Sequence, residues 1–192
     1  MFLMIFAYGY VYLLIDNGTL NSVINILIKA LGKKTYLIIP VSMLIFGVLG
    51  STMGIYEEVY GMVPVFIGIV TALGYDAVVG GAIVFVGVAT GFAAATTNPF
   101  SVGIAQSIAG ISMYSGIEYR ILIFIVFEVT VILYLLQYAR RVKKDPKKSI
   151  LYGEERTLIF PFKQKEAVIT VRQKICLMLF VCTIAMLLYG TT

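Results

Sequence analysis

The residues able to do chemistry fall in two short polar stretches and at one isolated acid. Ser51-Thr52-Met53-Gly54-Ile55-Tyr56-Glu57-Glu58 combines hydroxyls with adjacent carboxylates. Thr96-Thr97-Asn98-Pro99 offers hydroxyls and an amide, neutral oxygen ligands of the kind that suit Na⁺. Glu128 is a lone carboxylate inside an apolar run. Such groups hold ions and small charged solutes rather than make and break covalent bonds. The chain has no histidine, the commonest general base. It also lacks a nucleophile–base constellation and a Gly-x-x-x-x-Gly-Lys phosphate loop. An enzyme and an ATP-driven pump are therefore disfavoured. No cofactor is expected, and no metal beyond a coupling Na⁺. Cys176 and Cys182 face different sides of one apolar helix and imply neither a disulfide nor a metal site.

The composition says where this chemistry takes place. Of the 192 residues 60% are hydrophobic and only 13% charged, with a mean hydropathy of +0.96, whereas a soluble domain carries about a quarter charged residues. No charge occurs from Thr35 to Tyr56, from Ala77 to Ile117, or from Ile175 onward. Several of these runs reach the roughly 20 residues that one helical crossing needs. The expected fold class is an all-α polytopic membrane protein of the plasma (inner) membrane. The net charge of +5 does not imply nucleic acid. Eleven of the fifteen basic residues lie between Arg140 and Lys174, and three more are Lys29, Lys33 and Lys34. Positive-inside bias places both clusters in the cytoplasm.

The elements that must position the site follow from breaks in the apolar pattern. Residues 1–15 read as a spanning helix ended by Asp16-Asn17-Gly18. Residues 19–31 read as an amphipathic interfacial helix, with Leu20, Val23, Ile24, Leu27, Ile28 and Leu31 on one face. Within 35–75, the runs 35–56 and 59–75 either both span or form one re-entrant hairpin. The uncharged run after Asp76 reads as one broken helix, 77–110, unwound where Pro99 removes a donor and biases Asn98 away from helical angles. Residues 117–141 form a long helix stopped by Asp145-Pro146, 142–172 a polar cytoplasmic loop, and 173–192 one further spanning helix.

Each site residue has two readings at this stage. Glu57 and Glu58 sit either at a hairpin tip near mid-membrane, facing water or a cation, or in an ordinary extramembrane loop. Thr96, Thr97 and Asn98 are either the unwound centre of a binding site, whose carbonyls and helix N-terminus hold an ion and an anionic group, or a proline kink satisfied by its own threonines. Glu128 is either a proton or charge site or half of a structural pair; Arg120, two turns away, reads as an anchor at the outer interface. Thirteen of the eighteen glycines lie between Gly47 and Gly116. Gly50 with Gly54, and Gly87 with Gly91, form small-xxx-small pairs for close helix packing, or border irregular backbone beside a cavity.

Gly50-Ser51-Thr52-Met53-Gly54-Ile55-Tyr56-Glu57-Glu58, the run Thr97-Asn98-Pro99-Phe100-Ser101-Val102-Gly103-Ile104-Ala105-Gln106-Ser107-Ile108-Ala109-Gly110, and Tyr138-Ala139-Arg140-Arg141-Val142-Lys143-Lys144-Asp145-Pro146 resemble the YfcC family. That family groups with the C4-dicarboxylate anaerobic carriers and arginine/ornithine antiporter-like proteins of the ion transporter superfamily. The resemblance covers nearly the whole chain. It implies an elevator-type secondary transporter of two inverted repeats, each with a re-entrant hairpin and a broken helix. Residues 1–141 would supply most of the first repeat, and 173–192 the first helix of an incomplete second one. Ser51 and Thr52 would fall at the hairpin tip, where related proteins carry Ser-Asn-Thr; here Thr52 follows Ser51 directly.

The function expected is ion-coupled transport of small charged organic solutes, an amino acid, a peptide or a C4-dicarboxylate, with Na⁺ or H⁺ as coupling ion. With Glu57 and Glu58 at the tip, an amino-bearing solute is favoured over a bare dicarboxylate. The competing class is a non-transporting membrane scaffold or assembly subunit. Expected partners are membrane lipid, the solute, the second half, and a second copy of the complete protein.

Overall fold

The computed structural model describes residues 32–153, together with 13, 16–19, 170–171, 174–175, 178–179 and 182. The expected helices 1–15, 19–31 and 173–192, and much of the loop 142–172, lie wholly or largely outside the described residues. Among the described residues the chain is helical without strands. Its α-helices are α1 (Ile38–Thr52), α2 (Val63–Ala72), α3 (Ala77–Ala93), α4 (Ile104–Ala109) and α5 (Ile117–Lys144). A 3₁₀ segment, Gly32–Leu37, leads into α1, and another, Glu58–Met62, leads into α2.

α1 buries Ile39, Met43, Gly47, Gly50 and Ser51 on one face, yet its opposite face exposes Val41, Leu44, Ile45 and Val48. α5 does the same: Ile121, Leu122, Ile125, Val126, Val129 and Leu133 are exposed. Helices apolar on both faces belong in lipid or a larger apolar body rather than at a water boundary. Among the described residues, two helices, Thr35–Thr52 and the 28-residue Ile117–Lys144, are long and apolar enough to cross a membrane.

Glycine sets the closest approach. A Cβ at Gly91 of α3 would fall on the carbonyl oxygen of Gly47 in α1, and one at Gly50 would lie 2.6 Å from the Val88 carbonyl oxygen. Gly91 therefore rests on Gly47, Gly87 on Met43 and Phe46, and Gly50 on Val88 and Phe92. α1 ends at Thr52, and Gly54 sits in the turn beyond it with φ +73°.

The far end of the bundle is tied by Asp76. Its carboxylate caps α3 by accepting from the Val79 amide at 3.1 Å, and it also accepts from the Tyr138 hydroxyl at 2.5 Å and the Ser149 hydroxyl at 2.7 Å. The Tyr138 hydroxyl in turn accepts from the Ile150 amide at 3.2 Å. α5 thus runs antiparallel to α3, and the basic residues from Arg140 to Lys148 gather at the Asp76 end. α5 continues three residues past the expected boundary, because Arg141, Lys143 and Lys144 complement the carbonyl end of the helix. It stops at Asp145, whose extended backbone (φ −143°, ψ 99°) suits the residue before a proline.

Candidate functional site

At the other end of the bundle, α1 and α3 both stop, and their ends are bonded together. The Ser51 carbonyl accepts the amides of Thr96, Thr97 and Asn98 at 3.0, 3.2 and 3.1 Å. The Ser51 hydroxyl accepts from the Thr96 amide and donates to the Thr96 hydroxyl, both at 3.0 Å. The Thr97 hydroxyl donates to the Thr52 carbonyl at 3.3 Å. The backbone has left the helix by Asn98 (φ −50°, ψ 117°), and a π turn, Pro99–Gly103, carries it into α4.

Asn98 is fully buried, and both ends of its side-chain amide are bonded. Its Nδ2 donates to the Gly50 carbonyl at 3.0 Å, while its Oδ1 accepts from the amides of Phe100 at 2.9 Å and Ser101 at 3.3 Å. Gly54 lies against it; a Cβ there would come 2.6 Å from Oδ1. At the start of the second helical segment the Phe100 and Ser101 amides are thus taken by the Asn98 side chain. The Ser51 carbonyl is likewise not free for a cation, since three amides share it.

The openings lie on either side of residues 94–97. One cavity, about 380 Å³, is lined by Ser51, Thr52, Thr96 and Thr97 together with Val48 and the α5 residues Ile117, Ile121, Phe124 and Ile125. A second, about 390 Å³, is lined by Phe92–Ala95, Ser101, Val102, Ala105, Arg120 and Ile123. The first turns of α5 therefore lie over the break between α3 and α4. They are held there by Gln106, 1% exposed, whose side chain accepts from the Tyr114 amide at 2.7 Å and donates to the Ser115 carbonyl at 3.0 Å.

Glu128 lies on the inward stripe of α5 with Phe124, Leu135, Ala139 and Val142, and is 1% exposed. Its carboxylate rests on Gly47, one helical turn from Ser51, and neither oxygen has a hydrogen-bond partner among the described residues. The structural pairing considered from sequence is not present among them.

Glu57 and Glu58 are exposed, and no hydrogen bond joins them to Ser51 or Asn98. Glu58 accepts from the amide of Tyr56 at 3.1 Å. The turn that carries them is pinned to α3 by ring contacts from Tyr56 to Phe92 at 5.4 Å, edge-on, and from Tyr60 to Phe85 at 5.0 Å, tilted. The structure therefore brings Ser51, Thr52, Thr96, Thr97 and Asn98 together, sets Glu128 one turn away, and leaves the two acids at the surface. Sequence reasoning missed Gln106, the inward face of Arg120 and the clasp at Asp76. Only Asp76 had a local signal, an acid directly before a helical run.

The C4-dicarboxylate anaerobic carrier family matches residues 1–192. An uncharacterized protein of Haemophilus influenzae is 37% identical over 139 residues, 71% of this chain and 27% of that one. The protein of Escherichia coli (strain K12) named "Putative basic amino acid antiporter YfcC" is 30% identical over 150 residues, 78% of this chain and 29% of that one. The matched stretch thus spans under a third of either relative. No solved structure matches the chain. Matched along its whole length, the chain belongs to the C4-dicarboxylate anaerobic carrier family, a family of transporters and not of enzymes.

Proposed function

We propose that the chain forms part of an ion-coupled secondary transporter moving small charged organic solutes across the plasma membrane. The observation that supports this most is the joint between the ends of α1 and α3, flanked by two cavities. A scaffold has no use for two helices that stop at one level and leave hydroxyls at an opening. In this reading Ser51, Thr96 and Asn98 hold the joint, and Thr52 and Thr97 are the groups that meet the ion or solute. Glu128 carries the coupling charge, because a buried acid without partners among the described residues must gain a proton or a cation. Glu57 and Glu58, at the surface, attract a cationic group. The carrier and antiporter names of the relatives point to a C4-dicarboxylate or a basic amino acid, driven by Na⁺ or H⁺.

The elevator arrangement rests on helix length. Glu58–Ala72 and Ala77–Ala93 are shorter than the roughly 20 residues a full crossing needs, as arms of a re-entrant hairpin and of a broken helix would be. Clustering of Arg140–Lys148 at the Asp76 end supports a cytoplasmic position for that end and for the loop that follows. The test is uptake of labelled succinate and L-arginine by the intact transporter in proteoliposomes under imposed Na⁺ or proton gradients. Gradient-driven accumulation of either is expected; its absence for both, with intact folded protein, would refute the reading.

A further inference from the structure

We propose that Arg120 and Ser101 form a carboxylate-binding subsite in the cavity beside the break between α3 and α4. The inference rests on the transport reading above and names the solute group that this site recognises. It starts from the face on which Arg120 lies. Its neighbours Tyr119, Ile121 and Leu122 are 69%, 44% and 57% exposed, whereas Arg120 is half-buried and in phase with Phe124 and Glu128. It therefore turns toward the protein.

The cavity it lines is otherwise apolar. Phe92, the three alanines 93–95, Val102, Ala105 and Ile123 offer no charge. Arg120 makes no side-chain hydrogen bond or ion pair among the described residues. The Ser101 hydroxyl, in the same lining, is likewise buried without a partner. A guanidinium that faces an apolar cavity needs an anion, and its planar fork matches a carboxylate with two parallel hydrogen bonds. The Ser101 hydroxyl, enclosed beside the cavity, adds a third donor once its side chain rotates toward the ligand. The amides of Phe100 and Ser101 are already taken by Asn98, so no helix end competes for this role. A carboxylate is shared by C4-dicarboxylates and amino acids, and the two are separated by the probes.

The experiment uses the intact transporter in proteoliposomes with succinate, L-arginine and agmatine, which is arginine without its carboxylate. Thermal stability of each variant is measured in parallel. Arg120→Gln is expected to raise KM for succinate or L-arginine about tenfold to a hundredfold, the range for losing a charge-assisted hydrogen bond. Arg120→Lys should be intermediate, because the charge remains and the fork is lost. Ser101→Ala should raise KM several-fold at unchanged or higher stability, since it removes a buried hydroxyl with no partner. Agmatine should be refused by the wild type or carried equally by Arg120→Gln. The subsite is overturned if Arg120→Gln leaves KM for the carboxylates unchanged. The same holds if it lowers stability alone, with Arg120→Lys restoring it, which would make Arg120 a complement to the carbonyl end of α3. Uptake of agmatine as the sole substrate would also overturn it while leaving the transport reading intact. No uptake of any probe by the wild type would end both.

Discussion

The Glu128 carboxylate lies directly over Gly47, where a Cβ would stand 2.6 Å from Oε2 and 2.8 Å from the carboxyl carbon. Gly47 is in turn the floor on which Gly91 rests. One glycine thus lets α3 approach from one side and an acid from the other.

Gly47→Ala should therefore be destabilising by about 1–3 kcal/mol, the usual range for overpacking. Glu128→Ala should recover part of that loss, and a double-mutant cycle on thermal unfolding in detergent measures the coupling. Equal losses with and without Glu128 would show that the carboxylate is not the obstacle. Glu128→Gln keeps the volume over Gly47; it should fold normally and remove the response of transport to the coupling gradient.

The helix seam makes a second contrast. Gly91→Ala places a methyl on the backbone of α1 and should cost about 3 kcal/mol or prevent folding. Gly81→Ala in the same helix meets nothing within 4 Å and should be neutral or gain up to about 1 kcal/mol from helix propensity. Thermal melts of the two variants decide it.

Asn98→Ala deprives the Gly50 carbonyl and the Phe100 and Ser101 amides of their partner at once. At about 1–3 kcal/mol for each buried group left unsatisfied, the loss should be at least about 3 kcal/mol. Asn98→Asp should not rescue it, because Nδ2 is the donor to Gly50. Limited proteolysis around 94–103 reports the opening of the joint.

Ile150 is 74% exposed and lies beside the Asp76 clasp. In a background lacking Cys176 and Cys182, Ile150→Cys should react with an impermeant thiol reagent only after the membrane is opened. Labelling in intact cells would place this end outside and reverse the topology.

How much of this was legible follows from the range of each interaction. The break near Asn98 is local, since Pro99 removes a donor and biases its neighbour, so the sequence shows it. The bonding of Asn98 to Gly50, 48 residues away, is tertiary and has no signature in the local sequence. The spacing of Gly50 and Gly54 left two readings open, helix packing or irregular backbone, because spacing does not say where a helix ends; Gly54, beyond the end of α1 with φ +73°, follows the second. The long apolar run of α5 was plain, but the phase that turns Arg120 inward is set by packing and by the Gln106 clamp on Tyr114 and Ser115. The neutrality of the Glu128 surroundings likewise depends on which helices meet there.

The most direct test of the account is transport by the Thr52→Val, Thr97→Val double variant of the intact transporter. Valine keeps the shape of threonine and removes the hydroxyls at the 380 Å³ cavity, together with their bonds to the Thr52 and Val48 carbonyls, while Ser51, Thr96 and Asn98 still hold the joint. The account predicts that the variant folds and expresses like the wild type, and that uptake of the transported solute falls at least tenfold or loses its dependence on the coupling ion. Uptake with unchanged KM and unchanged Na⁺ and pH dependence would contradict it, and would leave the junction of α1 and α3 as structure alone.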